Sequence, residues 1–305
     1  MTASFRPLFI GAAAASLMAA LPVRAETHEA SYEFRWGGLL IGESDVRLTT
    51  DEDSYKIETT FRTRGLLSLF SKGESRASAT GDILPDGTLA PDRYVSEGRW
   101  GGDDYRRMIR YDDTGRVAGI EQDWPEEWLK DDKREPVPED QQTGPDPLSL
   151  LVAAVSGATL PGGVESDRVW RSFEGRSVID FRVRCLDGMD EVPESRHSPI
   201  AGEAVACGLT SEIVAGKPIE TEKERKKREK REAKELAAKD RGHDDERDGT
   251  LEGDLRGLRL WLQRDEVAGL WLPIRARMRS GWGTVRMIMV ASEVSDSGAE
   301  SVASR

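Results

Sequence analysis

The stretch Asp123-Trp124-Pro125-Glu126-Glu127-Trp128 sets three carboxylates beside two indoles. Hydrolysis of a glycosidic bond needs only two acids on opposite sides of a sugar, and indoles stack on sugar rings, so this motif suits acid–base chemistry. Adjacency in a Pro-containing loop is not geometry, however, and the plainer reading is an exposed acidic loop. His28, His197 and His243 are the only histidines, and each falls in the N-terminal stretch or a polar loop, away from any strand-like segment. The sequence has no Gly-x-Ser-x-Gly elbow, no His-Glu-x-x-His pair and no acidic calcium loop, so neither a serine triad nor a dedicated metal site is expected. Gly101-Gly102 lacks the Lys-Ser/Thr of a phosphate loop and reads as a hairpin corner. The expectation is a protein without catalytic residues, cofactor or metal, with a carboxylate-dependent hydrolase of envelope sugars as the enzymatic alternative.

Cys185 and Cys207 are the whole cysteine inventory. Cys185 ends the strand-like run from 178, and Cys207 lies near the start of another over 205–214. A disulfide across neighbouring strands is expected, closing a polar connection of about 20 residues; the Cys-x-x-Cys spacing of a redox site is absent. The compartment follows from the N-terminus. Arg6 precedes an apolar run over 8–21 broken only by Ser16, and Val23-Arg24-Ala25 places a small residue before a cleavage point. Residues 1–25 read as a signal peptide, because the apolar run falls short of the roughly 20 residues that span a bilayer. A mature chain beginning at Glu26, without a transmembrane segment, would stand in an oxidising periplasm where a disulfide persists.

Positioning any site falls to the strands. The 305 residues carry 44 Lys plus Arg against 56 Asp plus Glu, a net charge of −12, which argues against a basic nucleic-acid face. Eight Trp, seven Phe and five Tyr supply anchors for a folded core. From residue 30 the hydrophobic period is two: Tyr32, Phe34 and Trp36 share one face, and Ser44, Val46 and Leu48 face away from Asp45 and Arg47. Tyr55, Ile57, Thr59 and Phe61 continue the alternation after a polar turn at 50–53, and further strands are expected at 74–81, 93–100, 105–111 and 117–121. Strands resume at 169–183, 205–214, 258–262, 270–278 and 285–290. The fold class is mainly β, an antiparallel curved sheet or partly closed barrel. Its outward positions are charged, unlike the lipid-facing side of a porin.

One short helix interrupts the sheet. Asp146 suits its cap, Pro147 its first position, and the apolar run over 148–155 is stopped by Gly157. Apolar nearly all round, it should be buried, as core packing or as a lid on a concave sheet. The segment 124–145 reads as a long loop. Residues 217–250 form a charged helical or disordered insertion in a single domain spanning 26–292, with pairs such as Glu222 and Lys226 four apart. Its lysines and arginines could meet anionic lipid or nucleic acid, but interspersed glutamates dilute that potential and favour a solvated segment. Residues 293–305 read as a disordered tail.

Four landmarks in order resemble an exported bacterial family, domain of unknown function 3108. They are Trp36-Gly37-Gly38-Leu39-Leu40-Ile41-Gly42-Glu43, Asp146-Pro147-Leu148-Ser149-Leu150-Leu151, Phe173-Glu174-Gly175-Arg176, and Trp261 with Pro273 before a final hairpin. The resemblance covers about 30–290 and implies an envelope protein with a β-rich curved sheet. It implies no catalytic residues. The charged insertion is not part of it.

A curved sheet with one apolar side and a helix at its mouth can enclose an apolar ligand. Tyr32, Phe34, Trp36, Phe61, Trp100 and Trp261 are the candidate lining residues, unless they simply fill the core. The leading expectation is a periplasmic, non-enzymatic binding or scaffolding protein with a lipid-like ligand. An envelope assembly factor, using the charged insertion as an arm to hold another protein, is a further alternative.

Overall fold

The computed structural model describes residues 25–65, 67–156, 169–220, 222, 225–226, 229–230, 258–267, 269–280 and 283–296. The 1–25 leader, apart from Ala25, lies outside them, as does most of the charged insertion. Seven strands form an antiparallel meander: β1 (Glu26–Trp36), β2 (Leu39–Thr50), β3 (Ser54–Thr63), β4 (Gly73–Ile83), β5 (Leu89–Trp100), β6 (Asp103–Tyr111) and β7 (Val117–Asp123). A single turn of helix, α1 (Leu67–Phe70), joins β3 to β4. The chain then passes through α2 (Glu126–Asp131) and a 3-10 turn (Glu139–Gln141) into α3 (Pro147–Val155). The second series comprises β8 (Val169–Phe173), β9 (Val178–Cys185), β10 (Asp190–Val192), β11 (Gly202–Ala215), β12 (Leu258–Arg264), β13 (Trp271–Ser280) and β14 (Gly283–Asp296).

The last strand returns to the first. β14 pairs antiparallel with β1, giving one 14-stranded sheet in the order β7-β6-β5-β4-β3-β2-β1-β14-β13-β12-β11-β9-β8, with β10 attached to β11. The sheet is mainly antiparallel and not closed, because β7 and β8 end the order and do not pair. It curls all the same. Tyr55, Ile57, Ala79 and Ile109 from the first series share one buried cluster with Phe173, Val178 and Ala215 from the second, and Val152 of α3 lies among them.

Side chains and one short backbone bridge, in place of a strand ladder between β7 and β8, join the two ends of the sheet. Arg107 of β6 forms an ion pair with Glu174, just after β8, and both Arg107 and Arg176 stack on the Trp124 indole at 4.4 and 4.8 Å from its centroid. Asp132 accepts from Arg176 and Arg134, each at 2.9 Å. Backbone bonds from Glu135 N to Lys217 O (2.9 Å) and Ile219 N to Lys133 O (2.8 Å) hold the first residues of the insertion against the same segment. Among the described residues of the insertion, Glu222, Arg225, Lys226, Glu229 and Lys230 are helical and exposed, and Glu222 pairs with Lys226 at 2.7 Å.

Three expectations are corrected. β1 begins at Glu26, because its pairing with β2 and β14, despite a shift in each ladder, extends back to Glu26 opposite Thr50 and Asp296, so His28 lies in a strand and not in a loose terminus. The same pairing carries β14 on to Asp296, past the Glu293 at which the disordered tail was expected to begin. The 124–145 segment is not plain loop. Glu126 and Glu127 supply negative charge to the first turn of α2, and Lys130 pairs with Glu126 one turn back at 3.0 Å.

Candidate functional site

A partly open cavity of about 420 Å³, lined almost wholly by apolar atoms, lies between α3 and the concave face of the sheet. That volume falls within the range of small-molecule sites. One wall is β1, whose alternate residues His28, Ala30, Tyr32 and Phe34 all face it. Six residue steps of strand make that wall roughly 20 Å long. A second stretch of wall is leucine from β12, through Leu258, Leu260 and Leu262, again at alternate positions. Leu150, Leu151 and Ala154 of α3 form the lid.

A buried polar network sets the lid. Asp146, fully buried, caps α3 by accepting from Leu148 N and Ser149 N, both at 2.9 Å, and from the Ser149 hydroxyl. The Tyr55 hydroxyl of β3 donates to Ser149 Oγ at 2.7 Å, which ties the cap to the sheet. Burial pushes the Asp146 carboxyl above its ordinary value despite these hydrogen bonds. Burial likewise raises the phenols of Tyr55 and Tyr111, and pushes that of Tyr94 up to about 12.

Cys185 and Cys207 form a disulfide between directly opposed residues of β9 and β11. It packs with Val183 and Leu260, so it fastens two strands that build the cavity wall. At the Glu26 end of β1, His28 is 5% exposed; its Nε2 lies 3.4 Å from Asp265 Oδ2 and 3.2 Å from Ser292 Oγ. Asp and Ser share one ring nitrogen, so the trio is not a Ser-His-Asp relay, which uses both.

Of the six candidate lining aromatics, Tyr32 and Phe34 line the cavity. The other four are placed elsewhere. Phe61 stacks with Trp100 at 6.3 Å and meets Phe34 edge-on at 5.5 Å. Both cover glycines of their own sheet: a Cβ on Gly42 would lie 2.7 Å from Phe61, and one on Gly73 2.3 Å from Trp100. Trp36, 45% exposed, sits at the β1–β2 hairpin beyond the concavity. Trp261 shares a face of β12 with Arg259, stacked at 4.8 Å, and donates to Asp190 Oδ2 at 3.1 Å. Trp170, Phe181 and Trp271 do line the cavity, although nothing in the sequence separates them from the other aromatics. Each sits in an alternating run, but which side of a strand becomes concave depends on sheet curvature.

The acid–indole motif is dispersed. Trp124 carries the two guanidiniums and contacts Tyr105 and Trp128 at 6.4 and 6.1 Å, so its ring is already in use. Glu126 turns to solvent with Lys130, and Asp123 ends β7 beside a polar groove containing Glu97 and Asp104. His197 is half-buried and accepts from the neighbouring Arg196 Nε at 2.8 Å, and His243 lies outside the described residues. Among the described residues, no three His, Cys, Asp or Glu side chains converge as metal ligands, and no helix is long and apolar enough to cross a membrane.

A curled, open antiparallel sheet with an apolar internal cavity under a capped helix defines the class of protein. The chain belongs to the family described as protein of unknown function (DUF3108), which matches residues 31–290. It is also similar to a solved β-barrel-like protein of domain of unknown function DUF1849 from Brucella abortus: 12% identity, 90% of this chain and 100% of that one covered, TM-score 0.38. Comparison with curated proteins returns no match.

Proposed function

We propose that this protein is a non-enzymatic binding protein of the bacterial periplasm that encloses a lipid-like, apolar ligand beneath α3. The observation that carries the reading is the apolar lining of the 420 Å³ cavity, a volume that a well-packed core would fill with its own side chains. The signal-like leader and the disulfide support export, since such bonds persist in oxidising compartments. The dispersal of the acid–indole motif removes the main support for sugar hydrolysis.

Native mass spectrometry of protein purified from its host should reveal a co-purifying lipid, and a fluorescent apolar probe should bind the delipidated protein. Ala154→Trp, which places an indole in the cavity from the lid, should weaken the probe by about tenfold or more while costing roughly 1–3 kcal/mol through overpacking. A delipidated protein that binds neither probe nor lipid would end this reading.

A further inference from the structure

His28 and Ser44 are the polar side chains in this lining that the apolar reading leaves unexplained, and His28 is the one at the end of the β1 wall. Its Nε2 is engaged by Asp265 and Ser292, whereas its Nδ1 bonds to no other described residue and is not among the fully buried atoms that lack a partner, so it keeps access to the partly open cavity. A donor that reaches this nitrogen from the cavity makes a hydrogen bond that the apolar lining cannot supply. The tautomer follows from the neighbours. A carboxylate accepts only, so a proton on Nε2 satisfies Asp265, and the neutral ring in that form offers Nδ1 as a lone pair.

Position adds the second constraint. His28 stands at one end of the β1 wall and Phe34 at the other, roughly 20 Å apart along the strand. Between them the wall presents Ala30 and Tyr32, and the β12 leucines line the same cavity. The site is therefore long and mostly apolar, with His28 at one end and Ser44, in register with Tyr32, as a second polar side chain further along. From this geometry we infer that the occupant is a single-chain amphiphile with a neutral hydroxyl head, which donates to His28 Nδ1 while the chain lies along β1 toward Phe34. The inference rests on the cavity reading above and names its ligand class. An anionic head is disfavoured, because the Asp265 carboxylate already stands on the imidazole and an unpaired charge in an apolar cavity is costly. Tyr32, 7% exposed, also has no hydrogen-bond partner for its hydroxyl among the described residues, but it lies four residues further along the wall.

The test is displacement of a fluorescent apolar probe by three ligands of equal chain length: a long-chain primary alcohol, its methyl ether and the corresponding fatty acid anion. The alcohol should bind about tenfold more tightly than the ether, which cannot donate, and more tightly than the anion. His28→Leu should erase the advantage of alcohol over ether while still binding the ether, and His28→Gln, which keeps an acceptor oxygen, should retain part of it. Should His28→Leu fail to fold, the wild-type ratio and the Gln variant still decide. Equal binding of alcohol and ether by the wild type, preference for the anion, or an advantage lost in Tyr32→Phe but kept in His28→Leu would each overturn the inference. If the probe and all three ligands fail to bind, the cavity reading itself fails and takes this inference with it. If the ether binds as well as the alcohol, only the head-group assignment falls.

Discussion

Asp146 carries two opposed demands: burial favours its neutral form, while the helix N-terminus it caps favours a charged acceptor. Burial prevails, and the carboxyl is held above its ordinary value. The sign of the pH dependence follows. A carboxyl raised in the folded state binds its proton more tightly there than when unfolded, so its contribution to stability is full below the ordinary carboxylate range and is lost as pH rises through the raised value. Asp146→Asn keeps an acceptor oxygen without titrating. In urea unfolding between about pH 4 and pH 8, the variant should gain on the wild type as pH rises; a constant difference would contradict the raised value. The disulfide offers a second residue-scale prediction. Its partners are 22 residues apart, and replacing both Cys185 and Cys207 with Ser should cost about 3 kcal/mol in denaturant unfolding, chiefly by freeing the unfolded chain.

Among the elements, the end of β11 shows how local geometry restricts sequence. Gly216 follows the strand with a φ of 69°, and a Cβ there would lie 2.0 Å from the carbonyl oxygen of Arg176. Its own carbonyl accepts from Ser177 Oγ at 3.0 Å, so the turn is held in place. Gly216→Ala should therefore lose more than about 2 kcal/mol of stability, read as a lower urea midpoint at unchanged slope; a neutral result would show that this turn can yield. The helix α3 is legible in the sequence, because Asp146-Pro147 and the apolar run that follows are local signals for its start and its burial. β10 is not. Three residues, Asp190–Val192, carry no period of their own and form a strand only because β11 supplies a free edge.

At the scale of the whole molecule, the curled sheet depends on the seam between its two ends. Arg107 is buried there under Trp124, and its ion pair with Glu174 joins β6 to the β8–β9 turn. Arg107→Met should destabilise the fold by about 3 kcal/mol, because it leaves Glu174 without its partner and removes the stacked guanidinium. Trp124 reports on the seam, so its fluorescence should shift to that of a more exposed indole before global unfolding. An unchanged emission and midpoint would mean that the core cluster alone holds the curl. The aromatics are the part of the site least legible in the sequence. Tyr32, Phe34 and Trp36 alternate identically along the chain, yet only the first two reach the cavity, because the hairpin carries Trp36 past the rim.

Period-two alternation, turn residues and a capped apolar helix are local properties, and they sufficed to determine a mainly antiparallel β protein with one buried helix and two cysteines on neighbouring strands. Tertiary structure alone decided which face of each strand became concave, that β14 would pair with β1, and that His28 would end in the cavity wall. These outcomes come from curvature and long-range pairing, which join residues as distant as Glu26 and Asp296 and leave no trace in the spacing of their neighbours.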